Sequence, residues 1–180
     1  MKPEDLRRVV VVGTSGAGKT TLARELASIL ACPHVELDAL FWEADWTEAA
    51  DEVFRERTRT ATFGDRWVLD GNYSRVVDIA WPRATAVVWL NLGFATVFSR
   101  AVRRTWRRIR TGEELWAGNR ESWAVLDRDW IPWWVIRTFH RRRRAYADLL
   151  RTGGSGHYRV YELRSAGGVR EFLDRARGLG

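Results

Sequence analysis

The sequence has little cysteine and no long hydrophobic run. Its single cysteine, Cys32, cannot form a disulfide within the chain, which is typical of proteins in a reducing compartment. No uninterrupted apolar run approaches the roughly 18 residues of a membrane-spanning helix, and the first residues, MKPEDLRR, lack the apolar core of a secretory signal. We therefore expect a cytoplasmic protein with no membrane partner.

The bulk composition excludes wholesale disorder. Hydrophobic residues make up 46% of the chain and charged residues 29%, which is ordinary for a globular protein. A length of 180 residues is typical of one domain with a genuine core. We predict a single domain over residues 1–180.

Negative charge is scarce in one part of the chain. The formal net charge is +7, and the segment from Arg100 to Arg144 contains 13 arginines against five carboxylates, a local balance of +8. Concentrated positive charge favours an anionic partner: nucleotide phosphates, nucleic acid or an acidic membrane. The alternative is a solvated basic surface without a partner.

Apolar runs alternate with helical patterns, which predicts an α/β fold with a parallel sheet. Five strands are predicted in the segments RRVVVVG, HVELD, RWVLDGN, ATAVVWLNL and HYRVYEL. Between the last two lie a basic helix, the irregular segment TGEELWAGNRESW and a second helix with FHRRRRAYADLL. An insertion of this length typically forms a lid or binding element, and we place the lid at about 110–135.

A phosphate-binding loop is predicted directly after the first strand. The segment GTSGAGKTT has the spacing G-x-x-x-x-G-K-[ST], and its glycines let successive backbone N–H groups turn toward an anion. The following helix adds its positive end, Lys19 is expected to reach the β- and γ-phosphates, and Thr20 to bind Mg²⁺. The predicted nucleotide contacts are Gly13, Ser15, Gly16, Ala17, Gly18, Lys19, Thr20 and Thr21.

Two carboxylates follow predicted strands. Asp38 comes after the second strand and Asp70 after the third, and ligands of open parallel sheets bind at that edge. Asp70 is predicted to hold Mg²⁺ through water or to orient the phosphate loop. Asp38 is predicted to take a proton from an attacking hydroxyl or to position the acceptor. For each, the alternative is capping the following helix.

The helix after the fourth strand is predicted to have an apolar face and an arginine face. Helical spacing groups Phe94, Phe98, Ala101, Thr105 and Ile109 on the first, and Arg100, Arg103, Arg104 and Arg107 on the second. Phosphoryl transfer relies on cations that neutralise oxygen charge, so we expect some of these arginines to contact phosphate and the rest to face solvent. Five tryptophans lie between Trp116 and Trp134, and we expect them to pack the lid rather than stack on a base.

Taken together, these motifs resemble the nucleoside monophosphate kinase group of P-loop proteins. More narrowly, the chain is similar to the bacterial adenylate kinase-like proteins often labelled DNA topology modulation proteins. The segments PHVELDALFW, WVLDGNYS, ELWAGNRESW and YELRS carry this likeness. The resemblance implies a five-stranded parallel sheet in the order 2-3-1-4-5, helices on both faces, ATP as phosphoryl donor and Mg²⁺ as cofactor.

The resemblance also implies acceptor residues. Leu69 to Gly71 match the adenylate kinase strand that ends in Asp-Gly, which that family continues with Phe-Pro-Arg. Here the proline is absent and the arginine, Arg75, comes one residue late, which weakens AMP as the acceptor. The predicted substrate contacts are Asp38, Asn72, Tyr73 and Arg75.

Further residues correspond to donor and lid contacts of that family. Arg100 and Arg104 match two arginines that meet adenine and the donor phosphates, and Arg164 with Ser165 occupies the adenine loop. Arg120, in GNRE, resembles a lid phosphate contact. One of Arg141 to Arg144 should correspond to the arginine after the lid, and we assign Arg142.

The leading hypothesis is an ATP-dependent small-molecule kinase whose acceptor is a nucleoside monophosphate or a small hydroxyl compound, and the resemblance favours a monomer. Its predicted catalytic residues are Lys19, Asp38, Arg104, Arg120 and Arg142, with Thr20 and Asp70 on the metal. The alternative is a nucleotide-regulated nucleic-acid-binding protein that uses the Arg-rich segment 100–144. A bare ATPase or GTPase is a third option, and no N-K-x-D guanine signature follows the fourth strand.

Overall fold

A five-stranded parallel sheet forms the centre of the protein. The computed structural model describes residues 1–121, 131–152 and 157–179. The strands lie in the order β2-β3-β1-β4-β5, so the predicted order is confirmed. Their bounds are Arg8–Gly13 (β1), His34–Glu36 (β2), Trp67–Asp70 (β3), Ala86–Leu90 (β4) and Arg159–Leu163 (β5).

Helices connect the strands and cover both faces of the sheet. They are Lys19–Ile29 (α1), Leu37–Phe41 (α2), Asp51–Ala61 (α3), Val77–Ala80 (α4), Phe94–Thr111 (α5), Ile131–Thr152 (α6) and Ala166–Arg177 (α7). Short 3₁₀ turns span Pro3–Leu6, Ala44–Trp46, Ser74–Val76, Trp81–Arg83 and Trp116–Gly118. None of the helices in the described parts of the chain combines the length and the apolarity needed to cross a membrane.

The valine run of β1 separates two buried clusters. Val9 and Val11 pack on the face covered by α1, α5 and α7, whereas Val10 and Val12 pack on the face covered by α2, α3 and α4. Burial on both faces explains why this strand is continuously apolar rather than alternating. Helix α6 contacts both clusters, through Phe139 on the first and Tyr146 on the second.

Strand register brings the candidate polar residues to one edge of the sheet. Glu36 pairs with Asp70, and Asp70 pairs with Val11, just before the phosphate loop. Because all five strands are parallel, their carboxyl ends meet here. Helix α6 also passes this edge, and its Tyr146 hydroxyl reaches the Asn72 side chain.

The insertion between β4 and β5 consists of α5, a segment over residues 112–121 and α6. The segment 112–121 carries an antiparallel bridge between Glu114 and Arg120, and we call it the lid segment. Residues 122–130 of the predicted lid lie outside the described residues. The single-domain prediction for 1–180 stays a prediction.

The predicted faces of α5 are confirmed in part, since Ala101 and Thr105 are buried as expected. The buried residues are Val97, Ala101 and Thr105, whereas Phe94 is 37% exposed. The helix packs tightly on the phosphate loop, because a Cβ atom on Gly16 would lie 2.7 Å from the Val97 carbonyl oxygen and 3.0 Å from the Ala101 Cβ. Helical spacing alone does not reveal this contact.

Candidate active site

The phosphate loop connects β1 to α1 and needs glycine at defined positions. Gly16 has a φ of +85° and Gly18 a φ of +97°, a region that residues with a Cβ rarely adopt. Gly18 is also the residue that precedes the first turn of α1. The free N–H groups of that turn therefore begin next to the loop, which is the arrangement that suits an anion.

Lys19 lies at the centre of a cluster of charges. Burial lowers the pKa of its ammonium group, while Asp38 and Asp70 raise it, and Arg104 and Arg142 lower it further. Residues from α2, β3, α5 and α6 thus act on one ammonium group of α1. Of Arg141 to Arg144, Arg142 is the arginine that acts on Lys19.

Thr20 and Asp70 form a preset pair beside the loop. The Thr20 hydroxyl donates to Asp70 Oδ2 at 2.7 Å, and His34 Nε2 lies 2.8 Å from Asp70 Oδ1. Asp70 is 3% exposed, and each of its two carboxylate oxygens has a protein partner. His34 was not predicted as a site residue, and its position one strand away from Asp70 follows only from the β2–β3 register.

Glu36 is a second carboxylate near Thr20 that the sequence did not reveal. Its Oε1 lies 3.4 Å from the Thr20 hydroxyl. Burial and the neighbouring Asp70 raise the pKa of the Glu36 carboxyl, and a hydrogen bond from the Trp116 side chain partly offsets this. Through Trp116 the lid segment therefore reaches the edge of the phosphate site.

Asp38 lies in the first turn of α2 and does not cap it. The residue at the N-cap position is Glu36, and no side-chain cap bond is present there. The Tyr73 hydroxyl donates to Asp38 Oδ1 at 2.5 Å. Burial and Asp38 together raise the pKa of Tyr73. Within the described residues, no hydrogen-bond donor reaches Asp38 Oδ2.

Asn72 joins the phosphate loop to α6. Its Nδ2 donates to the Gly13 carbonyl at 2.6 Å, and its Oδ1 accepts from the Tyr146 hydroxyl at 2.7 Å. Burial raises the pKa of Tyr146 to about 12. The sequence predicted Asn72 as a substrate contact, whereas both ends of its amide are engaged within the protein. Tyr146 was not predicted.

Arg75 is already engaged by carboxylates. Its guanidinium donates to Asp51 and Glu48, each at 3.0 Å, and lies 5.4 Å from the centre of the Phe41 ring. The predicted grip on an acceptor phosphate would require breaking both bonds. Two carboxylates beside one guanidinium leave a local negative balance, which disfavours a second anion.

The arginines of α5 divide differently from the prediction. Arg100 Nη1 donates to the Ala17 carbonyl of the phosphate loop at 3.1 Å. Burial, and then Arg108, lower the pKa of Arg104, whose buried Nε has no hydrogen-bond partner among the described residues. Arg103 and Arg107 are exposed. The inward arginines thus repeat every four residues, at 100, 104 and 108.

Three predicted contacts lie elsewhere than expected. The Arg120 side chain is 63% exposed and pairs with Glu114 at 3.4 Å. Arg164 donates twice to Glu162, at 2.9 Å each. The Ser165 hydroxyl accepts from the Gly168 N–H and caps α7. Their nucleotide roles stay predictions, and the observed partners are protein groups.

The lid segment is fastened to the segment after α2. Asn119, 5% exposed, accepts from the Trp46 N–H at 2.9 Å and donates to the Glu43 carbonyl at 2.7 Å. Trp46 packs edge-on against Trp42 and Trp116. Tryptophans of this region therefore pack the lid segment against its neighbours, as expected for those that the structure describes.

Residues 9–122 match the protein family described as AAA domain. The matched region is more than half of the chain. The chain belongs to the AAA domain family. The fold and the phosphate loop of this AAA domain agree with that membership, and the predicted resemblance to P-loop nucleoside monophosphate kinase-like proteins is confirmed.

Two curated proteins resemble parts of this AAA domain. A protein of Pyrococcus furiosus provisionally named adenylate kinase is 32% identical over 114 residues, which are 59% of this chain and 61% of that protein. A shikimate kinase of Parabacteroides distasonis is 38% identical over 56 residues, which are 31% of this chain and 32% of that protein. The chain thus matches less than two thirds of either relative.

Solved structures resemble nearly the whole chain in fold. A shikimate kinase from Bacteroides thetaiotaomicron has a TM-score of 0.53 at 18% identity, over 96% of this chain and 97% of that chain. A gluconokinase from Sinorhizobium meliloti has a TM-score of 0.53 at 16% identity, over 97% of this chain and 91% of that chain. At this identity the likeness establishes the fold alone.

Proposed function

We propose that this protein is an ATP-dependent phosphotransferase that acts on a small molecule. The observation that carries the proposal is the Thr20–Asp70 pair beside the phosphate loop, whose Lys19 is acted on electrostatically by Arg104 and Arg142. Phosphoryl transfer is catalysed mainly by positioning and by neutralising spread-out oxygen charge. Lys19 in the loop, together with two arginines whose positive charge acts on it, meets that requirement.

The donor side has a place for a triphosphate. Arg104 Nε is buried without a hydrogen-bond partner among the described residues. An unbonded buried guanidinium N–H is costly, and a phosphate oxygen is its natural acceptor. Lys19, with its pKa lowered by burial, has the same need for an anion. The residues present therefore fit ATP.

The metal side fits Mg²⁺. Thr20 and Asp70 supply a hydroxyl and a carboxylate, and the described residues contain no group of three or more His, Cys, Asp or Glu side chains that could hold a metal. Mg²⁺ usually keeps several waters and takes one or two protein ligands plus substrate phosphates. Bound there, it would neutralise charge on the donor phosphates.

The acceptor side favours a hydroxyl over a phosphate. Asp38 Oδ1 is held by Tyr73, which orients the carboxylate and leaves Oδ2 to accept the proton of an attacking hydroxyl. A phosphate acceptor needs no base, but it needs a cation, and Arg75 is occupied by Asp51 and Glu48. We therefore propose a hydroxyl acceptor, with Asp38 as general base.

Names of similar proteins bear on both acceptor classes. The similar solved structures are named for shikimate and gluconate, both hydroxyl compounds. The relative named adenylate kinase keeps a nucleoside monophosphate as the second candidate, because its matched region includes about three fifths of this chain.

The nucleic-acid alternative loses support from the ion pairs of the basic segment. Three arginines of α5 and the lid segment face nearby carboxylates: Arg107 with Glu113, Arg108 with Glu121, and Arg120 with Glu114. Arg100 donates to the Ala17 carbonyl of the phosphate loop, and Arg104 acts electrostatically on Lys19. A duplex-binding surface would require its arginines to be available to phosphate, whereas Arg107 and Arg120, although exposed, are paired with carboxylates.

The proposal is tested by incubating the full chain with MgATP and a panel of nucleoside monophosphates, sugar acids and cyclic alcohols. The products are identified by ³¹P NMR, which separates phosphate esters from phosphoanhydrides. We expect an ester, and we expect Asp38→Asn to lower its formation by roughly 10²-fold with little change in MgATP affinity. Tight duplex DNA binding at physiological salt, with no transfer to any compound, would overturn the proposal.

A further inference from the structure

We infer that the acceptor has an apolar body of about one six-membered ring, which lies in a cavity between α4 and α6. This inference rests on the proposed function and narrows its substrate class. The cavity has a volume of about 220 Å³. Its walls come from the strand ends of β1 and β3, from α4 with the turn after it, and from α6.

Most of the cavity wall is apolar. It is formed by side chains that include Val12, Leu69, Val77, Ala80, Trp81 and Leu149. No carboxylate lines it, and Arg142 is the one charged side chain among its described lining residues. A small-molecule site is expected to be mostly apolar, with a few converging polar groups that fix orientation.

The polar groups of this cavity lead back to the reacting groups. Asn72, Tyr73, Arg142 and Tyr146 all line it. Tyr73 donates to Asp38, Asn72 donates to the Gly13 carbonyl, and Arg142 acts electrostatically on Lys19. A ligand with its apolar body in the cavity therefore has its polar end toward the base and the phosphate loop.

The cavity volume limits the size of the apolar body. An apolar cavity of roughly 150 Å³ binds benzene, so about 220 Å³ admits a six-membered ring with a few substituents. A nucleobase joined to a ribose is larger. Asn72, Tyr73 and Tyr146 already hydrogen-bond to protein groups. Beyond them and Arg142, the described lining residues offer only Ser74 and Trp81 as hydrogen-bonding side chains, which is few for recognising a base.

The transfer step balances with the residues present. The acceptor oxygen bonds to the γ-phosphorus of ATP as the bond from that phosphorus to the β,γ-bridging oxygen breaks, and ADP leaves with the electron pair. The hydroxyl proton passes to Asp38 Oδ2 and later to water. Tyr73 remains protonated throughout, since burial and Asp38 raise its pKa.

The test uses cyclohexanol as a neutral ring probe and fills the cavity by mutation. Ala145 lines this cavity, whereas Ala147, two residues further along α6, lines a different groove beside β5. The variants Ala145→Leu and Ala147→Leu therefore make the same change on two flanks of one helix. ADP release from MgATP is measured against cyclohexanol concentration, together with MgATP affinity.

We expect cyclohexanol to change the rate of ADP release, either by accepting phosphate or by displacing water. Its half-effect concentration should rise at least tenfold in Ala145→Leu and stay within twofold in Ala147→Leu, with MgATP affinity unchanged in both. A second variant, Ala80→Leu, fills the opposite wall and should act like Ala145→Leu. The inference is overturned if cyclohexanol has no effect, or if its effect is the same in all variants. A wild-type chain that binds no MgATP would instead overturn the proposed function.

Discussion

Two polar clusters flank the phosphate loop and differ in how completely their groups are bonded. At the strand edge, Asp70 holds Thr20 at 2.7 Å and His34 at 2.8 Å, one with each carboxylate oxygen. At the base of the lid, Arg104 Nε, Arg108 Nε and Glu121 Oε2 are all buried without a hydrogen bond among the described residues. The first cluster is complete within the protein, and the second is not.

This difference indicates separate tasks for the two clusters. A buried polar group without a partner costs about 1–3 kcal/mol, so a native protein retains several together only for a reason. Under the proposed function, the strand edge sets the metal ligands in advance, whereas at the lid base a donor phosphate supplies the missing acceptor of Arg104 Nε. Mutations at the lid base should therefore lower turnover with little loss of stability, whereas mutations at the strand edge should also change the free energy of unfolding.

The largest effect is expected at Lys19, where both clusters meet. Lys19→Ala removes the cation that Asp38, Asp70, Arg104 and Arg142 surround, and should lower kcat for ATP turnover by about 10³-fold. Steady-state ADP release measures this effect. The control is Lys2→Ala, which removes the other lysine of the chain and should leave turnover unchanged. Full turnover in Lys19→Ala would show that the loop is not the phosphate site.

Arg104→Gln should separate turnover from stability. Loss of the Arg104 guanidinium should lower kcat by about 10²-fold, because it removes a charged donor to the transferred phosphate. The free energy of unfolding should stay equal or rise, since burial already lowers the pKa of Arg104 and its Nε lacks a partner. Urea unfolding and ADP release measure the two quantities.

The exposed neighbour gives the control for this change. Arg103→Gln alters the same charge one residue earlier, where the side chain faces solvent, and should affect neither quantity. If Arg104→Gln destabilised the fold while Arg103→Gln did not, the lid base would be a structural cluster rather than a phosphate site.

The sequence predicts the phosphate loop better than it predicts the lid base. The reason is that the contacts of the loop are mostly between residues near one another in the chain, whereas those of the lid base are not. The strand–loop–helix around Lys19 is specified by residues adjacent in the chain: a buried valine run, glycines that accept positive φ, and the helix after them. These patterns act locally, so the phosphate loop could be predicted from them, whereas the strand order followed from the family resemblance. His34, Glu36 and Tyr146 escaped prediction because strand register and the path of α6 bring them to the site.

The lid base shows the opposite case. Helical spacing predicts Arg104 on a face away from the core, yet its guanidinium is buried beside Arg108 and Glu121. The GNRE motif indicates Arg120 as a phosphate contact, whereas the buried residues are its neighbours Asn119 and Glu121. A tertiary contact decides which of three adjacent polar side chains points inward, and no local pattern records it.

Asn119→Ala should loosen the lid segment without touching the phosphate loop. It leaves the Trp46 N–H and the Glu43 carbonyl without their partner, which should lower the free energy of unfolding by about 1–2 kcal/mol. Asn119→Asp can still accept from the Trp46 N–H but cannot donate to the Glu43 carbonyl. Its free energy of unfolding should therefore lie between those of the parent and Asn119→Ala. An unchanged urea midpoint in Asn119→Ala would mean that the lid segment is not held by this side chain.

Glu36→Gln tests the strand edge through pH. Burial and Asp70 raise the pKa of the folded-state carboxyl above its unfolded value, so ionised Glu36 destabilises the fold at neutral pH. The variant should be more stable than the parent at pH 7. The gap should shrink as pH falls through the raised pKa and vanish below the unfolded value of about 4.3, where both side chains are neutral. Thermal unfolding across this pH range measures the stability difference between variant and parent. A difference that did not change with pH would contradict a raised pKa for Glu36.

The smallest effect is expected at Arg120, which sharpens the boundary of the lid base. Its guanidinium is 63% exposed and pairs with Glu114, itself 61% exposed, so Arg120→Gln should change the free energy of unfolding by less than about 0.5 kcal/mol. Turnover should change less than twofold, in contrast to Arg104→Gln. A tenfold loss of kcat at unchanged stability would instead mean that Arg120 leaves Glu114 for the donor phosphate during the reaction, and the incomplete cluster would then extend into the lid segment.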